Sequence, residues 1–250
     1  MFLYAHNDVT HTARATPSHL TRLLYTDRLS RSYFQTYVER DVRAMINLRR
    51  LADFENFMRL LAGRIGQLVN LSSLANDVGV SSTTLKEWLS VLEASYVVFR
   101  LTPYFENLGK RVVKSPKIYF TDVGLASYLL GIESPTVAGR DPLIGSLFEN
   151  MVVLEALKAR LNAGREPHLY FYRDRQSCEV DLLFQEERRL VPIEIKSAMT
   201  FHSDFVRSIE RFQQMTSSAA RGYVIYAGDL TPKLANADVL HFADTATLFS

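Results

Sequence analysis

Cysteine is almost absent from this sequence, since Cys178 is the only thiol in 250 residues. A single thiol forms no internal disulfide, which fits a reducing compartment, and we expect a cytoplasmic protein. No apolar run approaches the roughly 18 residues of a membrane span, so the sequence predicts no membrane contact. The N-terminus, MFLYAHNDVT, lacks the basic and apolar segments of a signal peptide. These absences exclude disulfide-rich secreted proteins and membrane-spanning proteins.

Glycine-rich nucleotide-binding motifs are also missing. Neither GxxxxGK[ST], the phosphate loop of ATPases, nor GxGxxG, the dinucleotide loop, occurs in the chain. The six histidines are scattered, without the paired spacing of zinc ligands. The sequence therefore predicts neither an ATP site nor a zinc site.

Charge is divided unevenly along the chain. Residues 1–140 contain 17 Lys and Arg against 12 Asp and Glu, whereas residues 141–250 contain 12 against 15. A basic half beside an acid-rich half is compatible with nucleic-acid binding, although the net charge of +2 does not require it. The length and the 47% hydrophobic content predict one or two ordinary globular domains.

The stretch EVDLLFQEERRLVPIEIK, residues 179–196, has the clearest chemistry. Two apolar, β-branched runs flank the polar residues QEERR, which predicts a β-hairpin. Because side chains alternate along a strand, the first run is predicted to have one apolar and one acidic face. The apolar face comprises Val180, Leu182 and Phe184, and the acidic face comprises Glu179 and Asp181.

The turn of this hairpin decides which carboxylates face each other. A turn centred on Glu187 and Arg188 pairs residues whose numbers sum to 375, which places Asp181 opposite Glu194. A loop with an odd number of residues would break this match. Opposed carboxylates repel unless they are solvated at an edge or share a cation. Such oxygen ligands suit Mg²⁺ or Mn²⁺, and Lys196 would orient a water or stabilise a phosphate, which is the chemistry of metal-assisted phosphodiester hydrolysis.

Asp181 followed by Glu194 and Lys196 resembles the D…ExK core of the PD-(D/E)XK nuclease superfamily, which includes restriction endonucleases and Holliday-junction resolvases. That pattern also includes an acidic residue on a preceding helix, and Glu149 in PLIGSLFENMVVLEALKARL matches it. The order of helix, strand, hairpin, helix and strand follows the common core of the superfamily. The resemblance implies that Glu149, Asp181 and Glu194 hold the metal ion and that Lys196 assists catalysis.

Simpler interpretations of these residues stay open. Glu149 shares a predicted helical face with an apolar stripe, and it could be a first-turn acid favoured by the helix dipole. The stripe consists of Val152, Val153 and Ala156. Near the end of the strand before the hairpin, Arg173 and Arg175 are candidates for contacts with phosphate, while Gln176 or Glu179 could lie nearer the metal. Domains of this superfamily also persist as binding modules without activity.

Residues 62–140 have the pattern of a winged helix. In NLSSLANDVGVSSTTLKEWLSVLEASYVV a short helix is predicted to stop at Gly79, and Ser81 or Ser82 caps the next helix. The strands VVFRL and KIYFT flank PYFENLGKRVVKSP, the predicted wing. The second helix buries a stripe of four apolar residues, Leu85, Trp88, Leu89 and Leu92.

Contact with nucleic acid is predicted mainly for the wing. The exposed face of the second helix offers one cation, Lys86, against Glu87 and Glu93, which makes it a poor phosphate-binding surface. The candidate nucleic-acid-binding residues are Lys110, Arg111, Lys114, Lys117, Lys86 and Arg173. The alternative is a module that packs against protein.

Residues 1–61 are predicted to form an N-terminal helical segment after a poorly ordered start. Its last apolar stripe consists of Phe54, Phe57, Met58 and Leu61. The charged stretch YVERDV within it is either a solvated helix face or an interface. A Gly- and Pro-containing connection at residues 121–142 marks the boundary with the following domain.

Several stretches together resemble the C-terminal region of prokaryotic AAA-type ATPases that ends in a domain of unknown function. They are YVERDV, the segment from GQLVNLSSLANDVGV to TDVGLASYLLGI, GSLFEN, and LYFYRDRQSCEVDLL with PIEIKSA. In that family a P-loop ATPase domain precedes a winged helix and a nuclease-like module. The nuclease-like motif maps onto Glu149, Asp181, Glu194 and Lys196, whereas the ATPase motifs map onto nothing. We therefore expect no ATP hydrolysis from what looks like a shortened or stand-alone tail.

The predicted architecture is α/β and α+β: a helical segment (1–61), a winged-helix domain (62–140) and a PD-(D/E)XK restriction-endonuclease-like α/β domain (141–250). The first functional hypothesis is a Mg²⁺- or Mn²⁺-dependent nuclease, or a remnant of one, acting on DNA. The second is a non-catalytic DNA-binding or protein-docking tail that serves an ATPase domain. A third is a pure interaction module without nucleic-acid binding. The sequence leaves the oligomeric state open.

Overall fold

The computed structural model describes residues 51–105, 113–176 and 178–250, together with Thr36. The helices and charged stretch predicted before residue 51 lie outside these ranges, apart from Thr36. Half of the predicted wing, including Lys110 and Arg111, also lies outside them. Within the described part of the chain, no helix combines the length and the apolarity needed to cross a membrane.

The first part of the chain is mainly helical. Its elements are α1 (Leu51–Ala62), α2 (Leu71–Val78), α3 (Ser82–Ala94), β1 (Val98–Pro103), β2 (Lys117–Phe120), α4 (Val123–Leu129) and α5 (Pro135–Ala138). The caps explain the boundaries of α2 and α3. The Asn70 side chain accepts from the first turn of α2, Gly79 ends it at φ 80°, and Ser81 caps α3. The helices and strands predicted for residues 62–120 are therefore present in the predicted order.

The second part alternates helices and strands. Its elements are α6 (Ile144–Asn162), β3 (Leu169–Arg173), β4 (Glu179–Glu186), β5 (Arg189–Lys196), a 3₁₀ turn (Ser203–Val206), α7 (Arg207–Met215), β6 (Gly222–Tyr226), β7 (Ala237–His241), a second 3₁₀ turn (Phe242–Asp244) and α8 (Thr245–Phe249). The elements predicted from α6 to β6 are confirmed. The strand β7 and the C-terminal helix α8 were not predicted.

One mixed sheet of seven strands joins the two parts, in the order β2-β1-β3-β4-β5-β6-β7. The pairs β1–β3, β5–β6 and β6–β7 are parallel, and the other three are antiparallel. The main core also runs through both parts, from Phe54 to Phe249. The boundary predicted near residue 140 therefore falls between elements that share one sheet and one core.

The predicted apolar stripes are confirmed as parts of this core. All members of the α1 and α3 stripes are buried, and those of α1 are fully so. Val152, Val153 and Ala156 of α6 are buried against the sheet. Fully buried residues at spacings of three and four fix which face of each helix turns inward. As a result, Glu149 lies on the buried side of α6.

The hairpin has the predicted register but not the predicted faces. Leu182 pairs with Ile193 and Glu186 with Arg189, so paired numbers sum to 375. Between β3 and β4, however, the register shifts by one residue, which is a β-bulge. Val180 consequently packs in a different core cluster from Leu182 and Phe184. The prediction of one shared apolar face was wrong because the bulge breaks the alternation at Asp181 and Leu182.

The outer side of β2, the first strand of the sheet, is closed by groups from outside the sheet. The backbone N–H of Gly66 donates to the carbonyl of Ile118, and that of Val69 donates to the carbonyl of Pro116. The buried side chain of Asn150 forms two bonds with the backbone of Phe120, accepting from its N–H at 2.7 Å and donating to its carbonyl at 2.8 Å. Helix α6 is thereby fastened to β2.

Replacing Asn150 with Ala should destabilise the fold by about 2–4 kcal/mol, because two buried backbone groups of Phe120 would lose their partners at about 1–3 kcal/mol each. Urea denaturation monitored by circular dichroism measures the change. The exposed Asn162 at the end of the same helix provides a matched control, and Asn162→Ala should change the stability by less than about 0.5 kcal/mol. Equal effects of the two substitutions would show that the hydrogen bonds of Asn150 to Phe120 do not stabilise the fold.

Candidate functional site

Four carboxylates and two ammonium groups meet at the start of β4 and the end of β5. We refer to them together as the acid cluster: Glu149 from α6, Glu179 and Asp181 from β4, Glu194 and Lys196 from β5, and Lys117 from β2. The register of the hairpin and the bulge in β4 place the two strands' acids beside each other. The long helix α6 and the edge strand β2 supply the remaining members.

Asp181 occupies the point where the ladder between β4 and β5 ends. Its Oδ2 accepts the backbone N–H of Ile195 at 2.9 Å and lies 3.7 Å from Nζ of Lys196. On β5, Glu194 accepts from Lys196 through Oε1 and from the hydroxyl of Ser208 through Oε2. Glu194 is only 7% exposed, so the solvated strand edge considered as an alternative does not apply to it.

Glu149 is held by residues of β2. Its Oε1 lies 3.0 Å from Nζ of Lys117 and accepts the hydroxyl of Tyr119 at 2.5 Å. Gly66, at φ 69°, adjoins the carboxylate, and a Cβ there would lie 3.3 Å from it. Because α6 begins at Ile144, Glu149 is the sixth residue of the helix rather than a first-turn acid. The interpretation of Glu149 as a helix-dipole residue is therefore wrong.

Lys117 connects Glu149 to the hairpin. Its Nζ lies 2.7 Å from Oε1 of Glu179, and Arg173 holds the other oxygen of that carboxylate at 3.2 Å. The ammonium also lies 5.4 Å from the centroid of the Phe171 ring. Only 1% of the Lys117 side chain is exposed. The prediction that Lys117 contacts nucleic acid from a wing was wrong, because the residue belongs to a buried strand and points into the acid cluster.

Burial and charge shift the pKa values of several groups in the acid cluster. Burial, and then the charge of Asp181, raise the pKa of Glu194 to about 7 against opposition from Lys196 and Ser208. Burial also raises the pKa of Glu149, and Lys117 and Tyr119 only partly offset the effect. Burial lowers the pKa of Lys117, but Glu149, Asp181 and Glu179 raise it overall. Because the pKa of Lys117 is raised despite its burial, the three carboxylates dominate the electrostatic surroundings of this ammonium group.

The donors of the acid cluster suit a hard divalent cation, but their arrangement does not provide three protein ligands. Across the ranges that the structure describes, no group of three or more His, Cys, Asp or Glu side chains converges as a metal-binding set. Glu149, predicted to share a metal ion with Asp181 and Glu194, is instead engaged by Lys117 and Tyr119. The hairpin carboxylates fit the way Mg²⁺ is usually bound, by one or two carboxylates completed by water and phosphate oxygens.

The remaining candidates for nucleic-acid contact are spread over the surface. Lys86 on α3 and Lys114 before β2 are exposed, and Arg175 is exposed beside the start of β4. Arg173 is 40% exposed but pairs with Glu179. Lys110 and Arg111 lie outside the described residues. Among the described residues of the predicted basic wing, Lys114 is therefore the exposed cation.

Sequence reasoning missed Tyr119 and Ser208 and gave Lys117 the wrong role. Lys117 and Tyr119 are two residues apart on a strand, so they share a face, and both reach Glu149. A lysine at the start of the apolar strand KIYF was the available signal for a buried cation. Ser208 offered no such signal, since its contact with Glu194 depends on how α7 packs on β5.

Two family profiles match the chain, one on each side of the boundary predicted near residue 140. Residues 17–136 match the profile described as Domain of unknown function (DUF8612), and residues 144–244 match Domain of unknown function (DUF4143). The two matches meet around the predicted boundary. The acids of the cluster all lie in the second matched region, whereas Lys117 and Tyr119 lie in the first.

Similar proteins occur in mycobacteria and in Methanocaldococcus jannaschii. Uncharacterized proteins of Mycobacterium tuberculosis and Mycobacterium bovis are each 36% identical over 198 residues, covering 79% of this chain and 43% of the relative. An uncharacterized protein of Methanocaldococcus jannaschii is 25% identical over 190 residues, covering 75% of this chain and 38% of the relative. The chain thus spans less than half the length of these curated relatives.

The raised pKa of Glu194 predicts a pH-dependent stability. Between the ordinary value of 4.5 and about 7, the folded chain keeps a proton that the unfolded chain releases, so stability falls as pH rises through this window. The loss amounts to at most about 3 kcal/mol. In Glu194→Gln this component disappears, and the fall in stability from pH 4.5 to 7.5 should be smaller than in the parent protein.

Urea denaturation at several pH values, in a chelating buffer, measures this difference. Glu166→Gln is a suitable control because Glu166 is exposed, and its stability profile should follow that of the parent. The same pH slope in Glu194→Gln as in the parent would show that Glu194 ionises normally.

Proposed function

We propose that the acid cluster is the site of a Mg²⁺- or Mn²⁺-dependent phosphodiester hydrolysis that acts on nucleic acid. The observation that carries the proposal is the convergence of Asp181, Glu194 and Lys196 at the end of the hairpin, where Glu194 is buried. The similarity of this trio and Glu149 to the PD-(D/E)XK pattern supports the same chemistry. In a winged-helix arrangement of residues 62–140, the basic wing segment would contact the nucleic acid.

The roles of the residues follow from their contacts. Asp181 and Glu194 would hold the divalent cation, which when bound polarises a phosphoryl oxygen and lowers the pKa of a water. Ser208 fixes one oxygen of Glu194, and the N–H of Ile195 fixes one oxygen of Asp181, so both carboxylates are oriented in advance. Lys196, near both, would stabilise negative charge on the phosphate.

Asp181→Asn should reduce cleavage of DNA in the presence of Mg²⁺ or Mn²⁺ by more than about 100-fold, because groups that merely orient metal ligands are already worth about 10–100-fold. Labelled linear and branched DNA substrates resolved on denaturing gels measure the rate. Glu155→Gln on the surface of α6 serves as the control and should retain the parent rate. Equal rates in Asp181→Asn and the parent would exclude this site as the source of any cleavage.

A second candidate function is a non-catalytic DNA-binding or protein-docking module of a longer ATPase-type protein. One observation favours it: each described acid of the cluster is already paired with a lysine, an arginine, a hydroxyl or a backbone N–H. A cluster whose carboxylates are all paired within the protein can stabilise the fold without catalysing a reaction. In this case the chain would bind DNA through the wing or dock on protein, and it would not cleave.

Replacing Lys110, Arg111 and Lys114 together with Ala should weaken DNA binding and lower the salt dependence of log K by about 2–3, since each phosphate contact contributes about 0.9. Fluorescence anisotropy across a range of salt concentrations gives this slope. Neutralising three cations away from the wing, Lys158, Arg189 and Arg207, is the matched control. An unchanged slope in the wing variant would contradict wing binding, and absence of binding by the parent at low salt would favour docking on protein.

A further inference from the structure

A cavity of about 220 Å³ lies where the C-terminal end of α6 meets the tip of the β4–β5 hairpin. Its lining includes two arginines, Arg160 and Arg165, and the apolar side chains of Phe184 and Leu248. Glu149 of the acid cluster precedes Arg160 by eleven residues on the same helix, which is about 17 Å along the helix axis. The cavity is therefore separate from the acid cluster, and its properties do not depend on the proposed hydrolysis.

Arg160 is a buried cation that lacks a carboxylate partner. The residue is 8% exposed, and it forms no ion pair with an acidic group that the structure describes. Its Nε and Nη2 donate to the carbonyl of Glu166 at 3.2 and 3.1 Å, and its guanidinium carbon lies 5.1 Å from the centroid of the Phe184 ring. Arginines buried this deeply are normally paired with an acid. A carbonyl and an aromatic ring leave its positive charge only partly compensated.

One edge of this guanidinium group is free. Among the described residues, Nη1 of Arg160 has no hydrogen-bond acceptor, and it is not one of the enclosed atoms that lack a partner. Nη1 is therefore accessible, and together with the second N–H of Nη2 it presents two parallel donors. Such a pair of donors matches the two oxygens of a carboxylate or a phosphate group. The free edge of Arg160 thus suits an oxyanion.

The remaining lining favours a singly charged organic ligand. Glu186 and Glu187 also line the cavity, and Glu186 pairs with Arg189 at 2.8 Å. Because the repulsion by these acids grows with the charge of the ligand, a phosphate dianion is penalised more than a carboxylate. Phe184 and Leu248 give the cavity apolar walls, which favour a ligand that carries an apolar group beside its charge.

We propose that this cavity binds a small monocarboxylic acid with an apolar body, and that the carboxylate of the ligand pairs with the free edge of Arg160. Phe184 and Leu248 contact the apolar body, and the exposed Arg165 lies at the rim. Apolar cavities of about 150 Å³ hold benzene, so a volume of about 220 Å³ has room for a ring and a carboxylate.

NMR titrations of the purified chain with benzoate and hexanoate, each compared with its neutral amide, test the site. At least one of the two carboxylates should bind at least about tenfold more tightly than its amide, because the amide cannot form the charge-assisted pair of hydrogen bonds. Inorganic phosphate should bind more weakly than that carboxylate. The largest changes in backbone chemical shift should fall at residues 160–168, 184–187 and 248.

Two variants test the assigned contacts. Arg160→Gln should weaken carboxylate binding by at least about tenfold and leave binding of the amide unchanged. Leu248→Trp keeps the guanidinium group but fills the cavity, so it should block both ligands even if Arg160→Gln does not fold. Arg188→Gln, which alters an exposed arginine in the neighbouring turn, is the matched control and should bind as the parent does. Asp181→Asn should also bind as the parent does, which separates this site from the proposed hydrolytic site.

Several results would overturn the inference. Absence of binding by both carboxylates, or equal binding of each carboxylate and its amide, would show that the guanidinium group does not select an anion. Tighter binding of phosphate would contradict the choice of a carboxylate. Shift changes elsewhere in the chain, or unchanged binding in a folded Arg160→Gln or Leu248→Trp variant, would place the ligand outside this cavity.

Discussion

The ion pairs of Lys117 are the constraint on which the rest of the site depends. One ammonium group, almost fully buried, bridges the helix carboxylate of Glu149 and the strand carboxylate of Glu179, which also pairs with Arg173. Removing one partner of a buried pair leaves a charge without compensation, which typically costs about 3–5 kcal/mol. The positions of α6, the start of β4 and the edge strand β2 are therefore mutually dependent, and both parts of the chain contribute to the acid cluster.

Local patterns in the sequence predicted much of the architecture. The apolar stripes of α1, α3 and α6, the caps at Gly79 and Ser81, and the hairpin register all depend on residues close together in the chain. The two-residue turn at Glu187 and Arg188 fixed the pairing, because a hairpin's register follows from its turn. Asp181 could accordingly be placed beside Glu194 without knowledge of the fold.

Features that depend on distant contacts were not predictable in the same way. The bulge at Asp181 arises from pairing with β3 and leaves no mark in the alternation of the sequence. Lys117 and Glu149 are 32 residues apart, and their contact follows from the packing of α6 against β2. A lysine near a predicted basic wing has the local pattern of a surface residue, and its burial depends on the sheet that β2 joins. The contacts of Glu149 were unpredictable for the same reason, since Lys117 and Tyr119 reach it from another part of the chain.

The closed outer side of β2 also bears on how this molecule can associate with others. An exposed edge strand offers unpaired backbone groups to any extended segment, including the same strand of another copy. Here Gly66, Val69 and Asn150 already bond Ile118, Pro116 and Phe120. This end of the sheet therefore cannot be extended by an added strand, and a partner that approaches β2 must be recognised through side chains.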